Sequence, residues 1–193
     1  MNAAGSRLAR ASTIVTEPVA NYDNVSIALH WLTAALIVVL WIIAQVIDDF
    51  PRGAPRVFVR SLHISLGVTL AVVIGIRLAW RASPRRRAPL AVAGALGVVA
   101  RVVHYGLYVV VLGAILLGVA NVWVRGDSIF GLFTVPKLSP GNLALKETVE
   151  ELHEWLGNAV LVLAGIHAFA ALFHAFILKD EVLRRMLPKA RRE

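Results

Sequence analysis

The chain has 193 residues, 58% of them hydrophobic and only 17% charged, with a mean hydropathy of +0.71. The charges gather into bands separated by long uncharged runs, which excludes a soluble globular enzyme and a disordered tail. There is no cysteine, so disulfides, thiolate metal sites, cysteine-held iron–sulfur clusters, a CxxCH attachment and a cysteine nucleophile are excluded too.

Residues 1–23 form a polar leader rich in Ala, Ser and Thr. A hydrocarbon core of about 30 Å takes roughly 20 apolar residues of helix. The first uncharged run, Asn24 to Ile47, meets that length. Asp48-Asp49-Phe50 behind it is no small-residue cleavage site, so this is a retained span and not a signal peptide. Asp48 to Arg60, with Pro51, Gly53 and Pro55, reads as a short connection. The second run, Ser61 to Ile76, falls short of a full crossing. Arg60 and Arg77 can snorkel their charged heads outward, however, and Leu78, Ala79 and Trp80 continue the apolar pattern. Ser83 to Arg87 is a basic turn. The uncharged stretch from Ala88 to Ala100 is too short to span, so it either lies at the interface or extends the third span. The third run, Val102 to Val124, is again long enough to cross. Arg125 to Glu151 is the longest connection, broken by Gly126, Pro136, Pro140 and Gly141. The fourth run, Trp155 to Leu178, also meets the length of a crossing, and residues 189–193 are a basic tail. The fold class is an all-α integral membrane protein. A four-transmembrane-helix bundle fills residues 24–188, with spans at about 26–47, 61–81, 101–124 and 152–178.

Of the 20 Lys and Arg residues, 14 fall in the leader, in the connection between spans two and three, and in the tail; six fall on the other side. Positive residues stay cytoplasmic, so both termini are cytoplasmic. The net charge of +8 is thus a topology signal that suits anionic lipid, and no nucleic-acid partner is expected. Trp31, Trp80 and Trp155 at the span ends read as interfacial anchors.

All six histidines lie within or at the edge of a span: His30, His63, His104, His153, His167 and His174. One intramembrane imidazole is readily explained by packing; six at two matched depths are not. The topology puts His63 and His153 near the outer face, and His30, His104, His167 and His174 towards the inner face. His153 and His167 are 14 residues apart, a rise of about 21 Å and roughly 40° short of four full turns, so they look out from nearly one helix face. Gly157, Val160 and Ala164 lie between them, and Gly67 sits one turn from His63, small residues that let a flat macrocycle approach. Neutral imidazoles on facing helices can hold a b-type haem, and spans without carboxylates argue against a transporter or zinc site. The outer pair is His63 with His153. At the inner pair His167 is favoured over His174, whereas spacing does not separate His30 from His104 as its partner.

The sequence resembles the bacterial cytochrome b561 family, specifically its superoxide oxidase-like members. The likeness is carried by Tyr22-Asp23, Ile27-Ala28-Leu29-His30-Trp31-Leu32, Leu62-His63-Ile64-Ser65-Leu66-Gly67, Arg77-Leu78 and His104-Tyr105. It continues through Phe130-Gly131-Leu132-Phe133 with Pro136, Leu152-His153-Glu154, Gly165-Ile166-His167-Ala168, His174, Lys179-Asp180 and Met186-Leu187-Pro188. The resemblance implies two b haems, the inner one on His30 and His167 and the outer one on His63 and His153. It leaves His104 and His174 at a ubiquinone pocket, where imidazole supplies hydrogen bonds and protons. Arg77 and Arg101 then flank the inner haem as propionate contacts. The implied activity, in the bacterial inner membrane, is oxidation of periplasmic superoxide with reduction of ubiquinone. The rival is an electron-transfer subunit that joins the quinone pool to a periplasmic dehydrogenase or hydrogenase. Arg52, Arg56 and Arg60 offer local steering of a small anion, although seven acidic residues on that side outweigh its six basic ones.

Overall fold

The computed structural model describes residues 22–83, 94–138 and 140–188. The leader up to residue 21, the basic run Arg85, Arg86 and Arg87, and the tail 189–193 lie outside the described residues. Four long helices dominate: α1 Asn24–Val46, α2 Ala54–Ala82, α3 Gly94–Arg125 and α4 Leu143–Phe173. Each is long and apolar enough to cross a membrane.

The helices overrun the uncharged stretches, because a charge ends burial in lipid and not the helix itself. α2 already begins at Ala54, with Pro55 in its first turn, where a missing N–H leaves nothing unsatisfied. α3 begins at Gly94, so residues 94–100 extend the third span and are not a separate interfacial segment. α4 begins at Leu143 and carries Lys146, Glu147, Glu150 and Glu151 before its apolar stretch. A 3-10 turn, Ile47–Asp49, prolongs α1, and a π-turn, His174–Leu178, ends α4. The connection from α3 to α4 contains a small hairpin, β1 Ser128–Ile129 and β2 Phe133–Thr134, antiparallel with Ser128 opposite Thr134 and Ile129 opposite Phe133. Gly126, at φ +74°, turns the chain out of α3 into it, and a Cβ there would sit 2.6 Å from Lys137 Cγ.

α1 packs closely on α2 and α3 on α4, whereas the two helical pairs touch each other sparsely. The buried apolar cluster that joins them is small: Leu36 and Leu40 of α1, Leu70, Val73 and Ile74 of α2, Val111 of α3 and Val160 of α4. On α2 and α4 these positions fall between the two levels of histidine.

The end of the bundle that carries the chain termini is tied by polar contacts. Asp23 caps α1, its Oδ1 accepting from the Val25 and Ser26 N–H at 3.1 and 3.0 Å, its Oδ2 from the Ser26 hydroxyl at 2.7 Å. The same Oδ1 accepts from Trp80 Nε1 of α2 at 3.1 Å, and Trp31 Nε1 donates to the Met186 carbonyl at 2.8 Å. Two tryptophans expected as interfacial anchors therefore also lock the chain to itself. Arg185, 1% exposed, lies over the Tyr22 ring at 5.4 Å and fastens the C-terminal turn to the start of α1. Within the apolar layer, Trp41 Nε1 donates to Asn158 Oδ1 at 3.0 Å, joining α1 to α4.

Replacing an N-cap Asp by Ala costs about 0.5–2 kcal/mol. Asp23→Ala, which also removes the acceptor that Trp80 Nε1 bonds at 3.1 Å, is expected to lower the thermal midpoint of the detergent-solubilised protein clearly more than Ser26→Ala. Equal midpoints for the two variants would remove Asp23 from this role.

Candidate functional site

The histidines form two levels. At the level away from the termini, the rings of His63 on α2 and His153 on α4 face each other with centroids 6.2 Å apart and planes at 86°. At the level near the termini, His30 on α1 and His167 on α4 repeat the arrangement, at 6.2 Å and 74°. His104 on α3 lies closer to His167, at 5.1 Å and 63°. His174 stands apart from these rings, with Nδ1 2.5 Å from Asp180 Oδ2.

Neighbouring helices orient the rings. The Ala114 carbonyl of α3 lies 3.0 Å from His153 Nδ1 and accepts a hydrogen bond from its N–H, which leaves Nε2 with a free lone pair. α3 comes this close because Gly118 has no side chain: a Cβ there would be 3.1 Å from His153 Cε1. The Leu40 carbonyl of α1 lies beside the His63 ring, while the buried Nδ1 of that ring closes no hydrogen bond. Arg77 Nη2 donates to His30 Nδ1 at 3.0 Å and its guanidinium stacks on the Tyr108 ring at 5.6 Å, so this side chain points into the bundle and does not snorkel. Arg101 is exposed on α3.

A match to the family model for prokaryotic cytochrome b561 runs through residues 21–189. The chain belongs to that family. It is 30% identical to a probable superoxide oxidase CybB of Yersinia pestis, over 88% of this chain and 97% of that protein. It is 33% identical to cytochrome b561 homolog 2 of Escherichia coli K12, over 88% and 92% of the two chains. A cytochrome b562 of Cereibacter sphaeroides is 25% identical over 86% and 94%. With its four apolar helices this cytochrome is a multi-pass membrane electron-transfer protein, and the family implies haem b as cofactor.

The residues present fit such a group. One iron bonded to two imidazole nitrogens at about 2.0 Å each, with about 1.1 Å from nitrogen to ring centre, separates the centroids by about 6.2 Å. His63–His153 and His30–His167 have that separation; His104–His167, at 5.1 Å, is too short for it. A Cβ added at Gly67 or Gly157 would meet no atom within 4 Å, so there is open space beside both paired histidines' helices.

Around the level away from the termini three arginines are paired with acids. Arg56 donates to Asp48 Oδ1 at 3.1 Å and to the Asp48 and Phe50 carbonyls, Arg60 lies 3.7 Å from Asp127, and Arg125 bonds Glu150 at 2.7 Å. The hairpin docks beside His63: Ser61 Oγ donates to the Ser128 carbonyl at 3.4 Å, and Ser65 Oγ accepts from the Phe130 N–H at 3.0 Å. The sequence assigned no role to Ser61, Ala114 or Gly118, and it showed Ser65 and Asp180 only as members of the family motifs. A hydroxyl on each side of a histidine was a usable signal for the serines; a backbone carbonyl on another helix leaves none.

Two outcomes follow. Gly118→Val drives a branched side chain into the His153 ring, and haem bound per chain, read from the Soret absorbance, is expected to fall. Asp127 is held above its ordinary carboxyl value, first by burial and further by Glu150, against the pull of Arg60 and Arg125. The folded state therefore keeps this proton to higher pH than the unfolded chain. The associated stability is present below 3.8 and is lost as pH rises from 3.8 towards the raised value. Asp127→Asn should abolish this component of the thermal midpoint's pH dependence.

Proposed function

We propose that this cytochrome is a superoxide:ubiquinone oxidoreductase of the bacterial inner membrane, with both termini cytoplasmic, superoxide oxidised to dioxygen on the periplasmic side and ubiquinone reduced on the cytoplasmic side. The observation that carries the reading is the pair of facing imidazole couples at two depths, each at 6.2 Å. The likeness to a probable superoxide oxidase supports the choice of donor. When bound, two b haems supply the one-electron redox chemistry that side chains lack.

His63 and His153 hold the outer haem, and His30 and His167 the inner one. The Ala114 carbonyl keeps the His153 proton on Nδ1, so that Nε2 is free to bond the metal. At His30 the Arg77 guanidinium occupies Nδ1, which places the ring proton on Nε2. A metal held by His30 Nε2 would need the ring proton on Nδ1, with the Arg77 guanidinium released from it. The released guanidinium is then available for a propionate, a charge-assisted partner. Arg101, exposed on α3, is the second propionate contact. His104 and His174 are the groups that hydrogen-bond ubiquinone and give it protons. Of the three arginines expected to steer superoxide, Arg56 and Arg60 already face Asp48 and Asp127, so the steering field is local and rests most on Arg52.

His63→Ala and His153→Ala are each expected to remove about half of the bound haem, since each destroys one of two bis-histidine sites; full haem content in both variants would defeat the outer assignment. In stopped-flow absorbance, superoxide should reduce the oxidised cytochrome rapidly, and a short-chain ubiquinone should drain that reduction. Visible haem that superoxide reduces only slowly would favour the second reading, an electron-transfer subunit between the quinone pool and a periplasmic dehydrogenase or hydrogenase. The hairpin favours that second reading, since it exposes Phe130, Leu132 and Phe133. Co-purification of a stoichiometric soluble partner would establish it.

A further inference from the structure

Asp180 is six residues beyond His174. On a continuing α-helix that spacing rotates a side chain by about 240°, away from the histidine's face. The chain brings the two together by abandoning the α-helix. Residues His174–Leu178 form a π-turn, and Lys179 then adopts the left-handed conformation at φ 53° and ψ 37°. The N–H groups of Lys179 and Asp180 both bond the His174 carbonyl, the second at 3.2 Å, and close the turn back on its own beginning. The Asp180 carboxylate thereby reaches His174 Nδ1 at 2.5 Å, while its other oxygen accepts from the Val182 N–H at 3.1 Å. A left-handed non-glycine residue and a π-turn are both costly local choices, and such turns are frequent at functional sites. His174 is largely covered, with 16% of its side chain exposed, whereas Asp180 is 37% exposed. The pair thus runs from the protein interior to the aqueous edge. Slight burial pushes the Asp180 carboxyl up, but the hydrogen bonds from His174 and the Val182 N–H override it and hold the group below its ordinary value, hence ionised. The other charges on this segment are Lys179, the Arg184–Glu181 ion pair and Arg185, whose guanidinium lies over the Tyr22 ring.

We propose that Asp180 is a positioning residue for proton delivery to ubiquinone: it keeps a proton on His174 Nδ1 and so makes Nε2 the nitrogen that serves the quinone oxygen. The inference rests on the placement of ubiquinone at His174 made above. Ubiquinone becomes ubiquinol by taking two electrons, from two superoxide ions oxidised to dioxygen, and two protons. For one proton, the Nε2–H bond of the His174 imidazolium breaks as the quinone O–H bond forms. The electron pair stays on Nε2, and that nitrogen is reprotonated by cytoplasmic water once ubiquinol leaves, while Nδ1 keeps its proton against Asp180. The carboxylate remains ionised throughout and stabilises the imidazolium, as an oriented carboxylate does for a histidine base.

The test uses the full haem-loaded chain in detergent with a short-chain ubiquinone, comparing wild type, Asp180→Ala and His174→Ala. The first readout is the tautomer of His174 from imidazole 15N NMR, which is independent of turnover. Wild type should carry its proton on Nδ1, and Asp180→Ala should shift it towards Nε2. The second readout is steady-state quinone reduction. Loss of an orienting partner costs roughly 10–100-fold, so kcat should fall by that factor in Asp180→Ala with KM for quinone and the haem spectrum retained. If Asp180→Ala does not fold, Asp180→Asn, of equal size, takes its place. A neutral wild-type His174 ring with its proton on Nε2 would overturn the proposal. So would an Asp180→Ala kcat within about twofold of wild type while His174→Ala is impaired; the quinone site would then stand without Asp180. Unimpaired His174→Ala would instead overturn the quinone site itself, and this proposal with it.

Discussion

An imidazole inside a hydrocarbon layer has no water to bond, so its nitrogens must be satisfied by protein or by a bound group. That requirement organises this molecule. His153 bonds the Ala114 carbonyl, His30 takes a hydrogen bond from Arg77, and His174 is held by Asp180. The remaining valences of four rings meet in two facing couples at the same separation. α4 contributes a ring to each couple, and so serves as the post on which both levels are hung.

The looseness of the bundle follows from the same arrangement. Two tight helical pairs stand against each other with only a small apolar cluster between them. Beside Gly67 and Gly157 the helices leave open space. A macrocycle in that space would restore apolar contact to both pairs, which makes the cofactor part of the packing as well as of the chemistry. Gly118 shows how narrow the tolerance is where α3 meets the His153 ring, since a Cβ there would lie 3.1 Å from His153 Cε1.

The two ends of the bundle differ in how they hold charge. Away from the termini, acids neutralise arginines pairwise and a docked hairpin sits beside His63. Near the termini, Tyr22, Asp23, Trp31, Trp80 and Arg185 bind the first and last described segments together. That clasp lies close in sequence to the π-turn, so the geometry of His174 and Asp180 depends on a C-terminal segment that is itself anchored to α1.

The class of the molecule is written in its residues alone. Three uncharged runs are long enough to span and a fourth becomes so once Arg60 and Arg77 snorkel, and six histidines at two depths are visible by counting residues along straight helices. The family was likewise legible in motifs around His30, His63, His153 and His167. The helix ends were not, since a helix continues past the charges that leave the lipid, as α2 and α4 do. Nor did the spacing choose between His30 and His104 beside His167, because both start their spans at the same level. The packed helices are what separate 6.2 Å from 5.1 Å. The acceptors that orient the rings were equally hidden: Ala114 acts through its backbone and Gly118 through the side chain it lacks, so neither residue type announces a role. Asp180 stood next to Lys179 in plain view, yet the regular helix that sequence reasoning assumes points it away from His174. The π-turn reverses that, and a departure from helical periodicity is decided by the fold and not by the period itself.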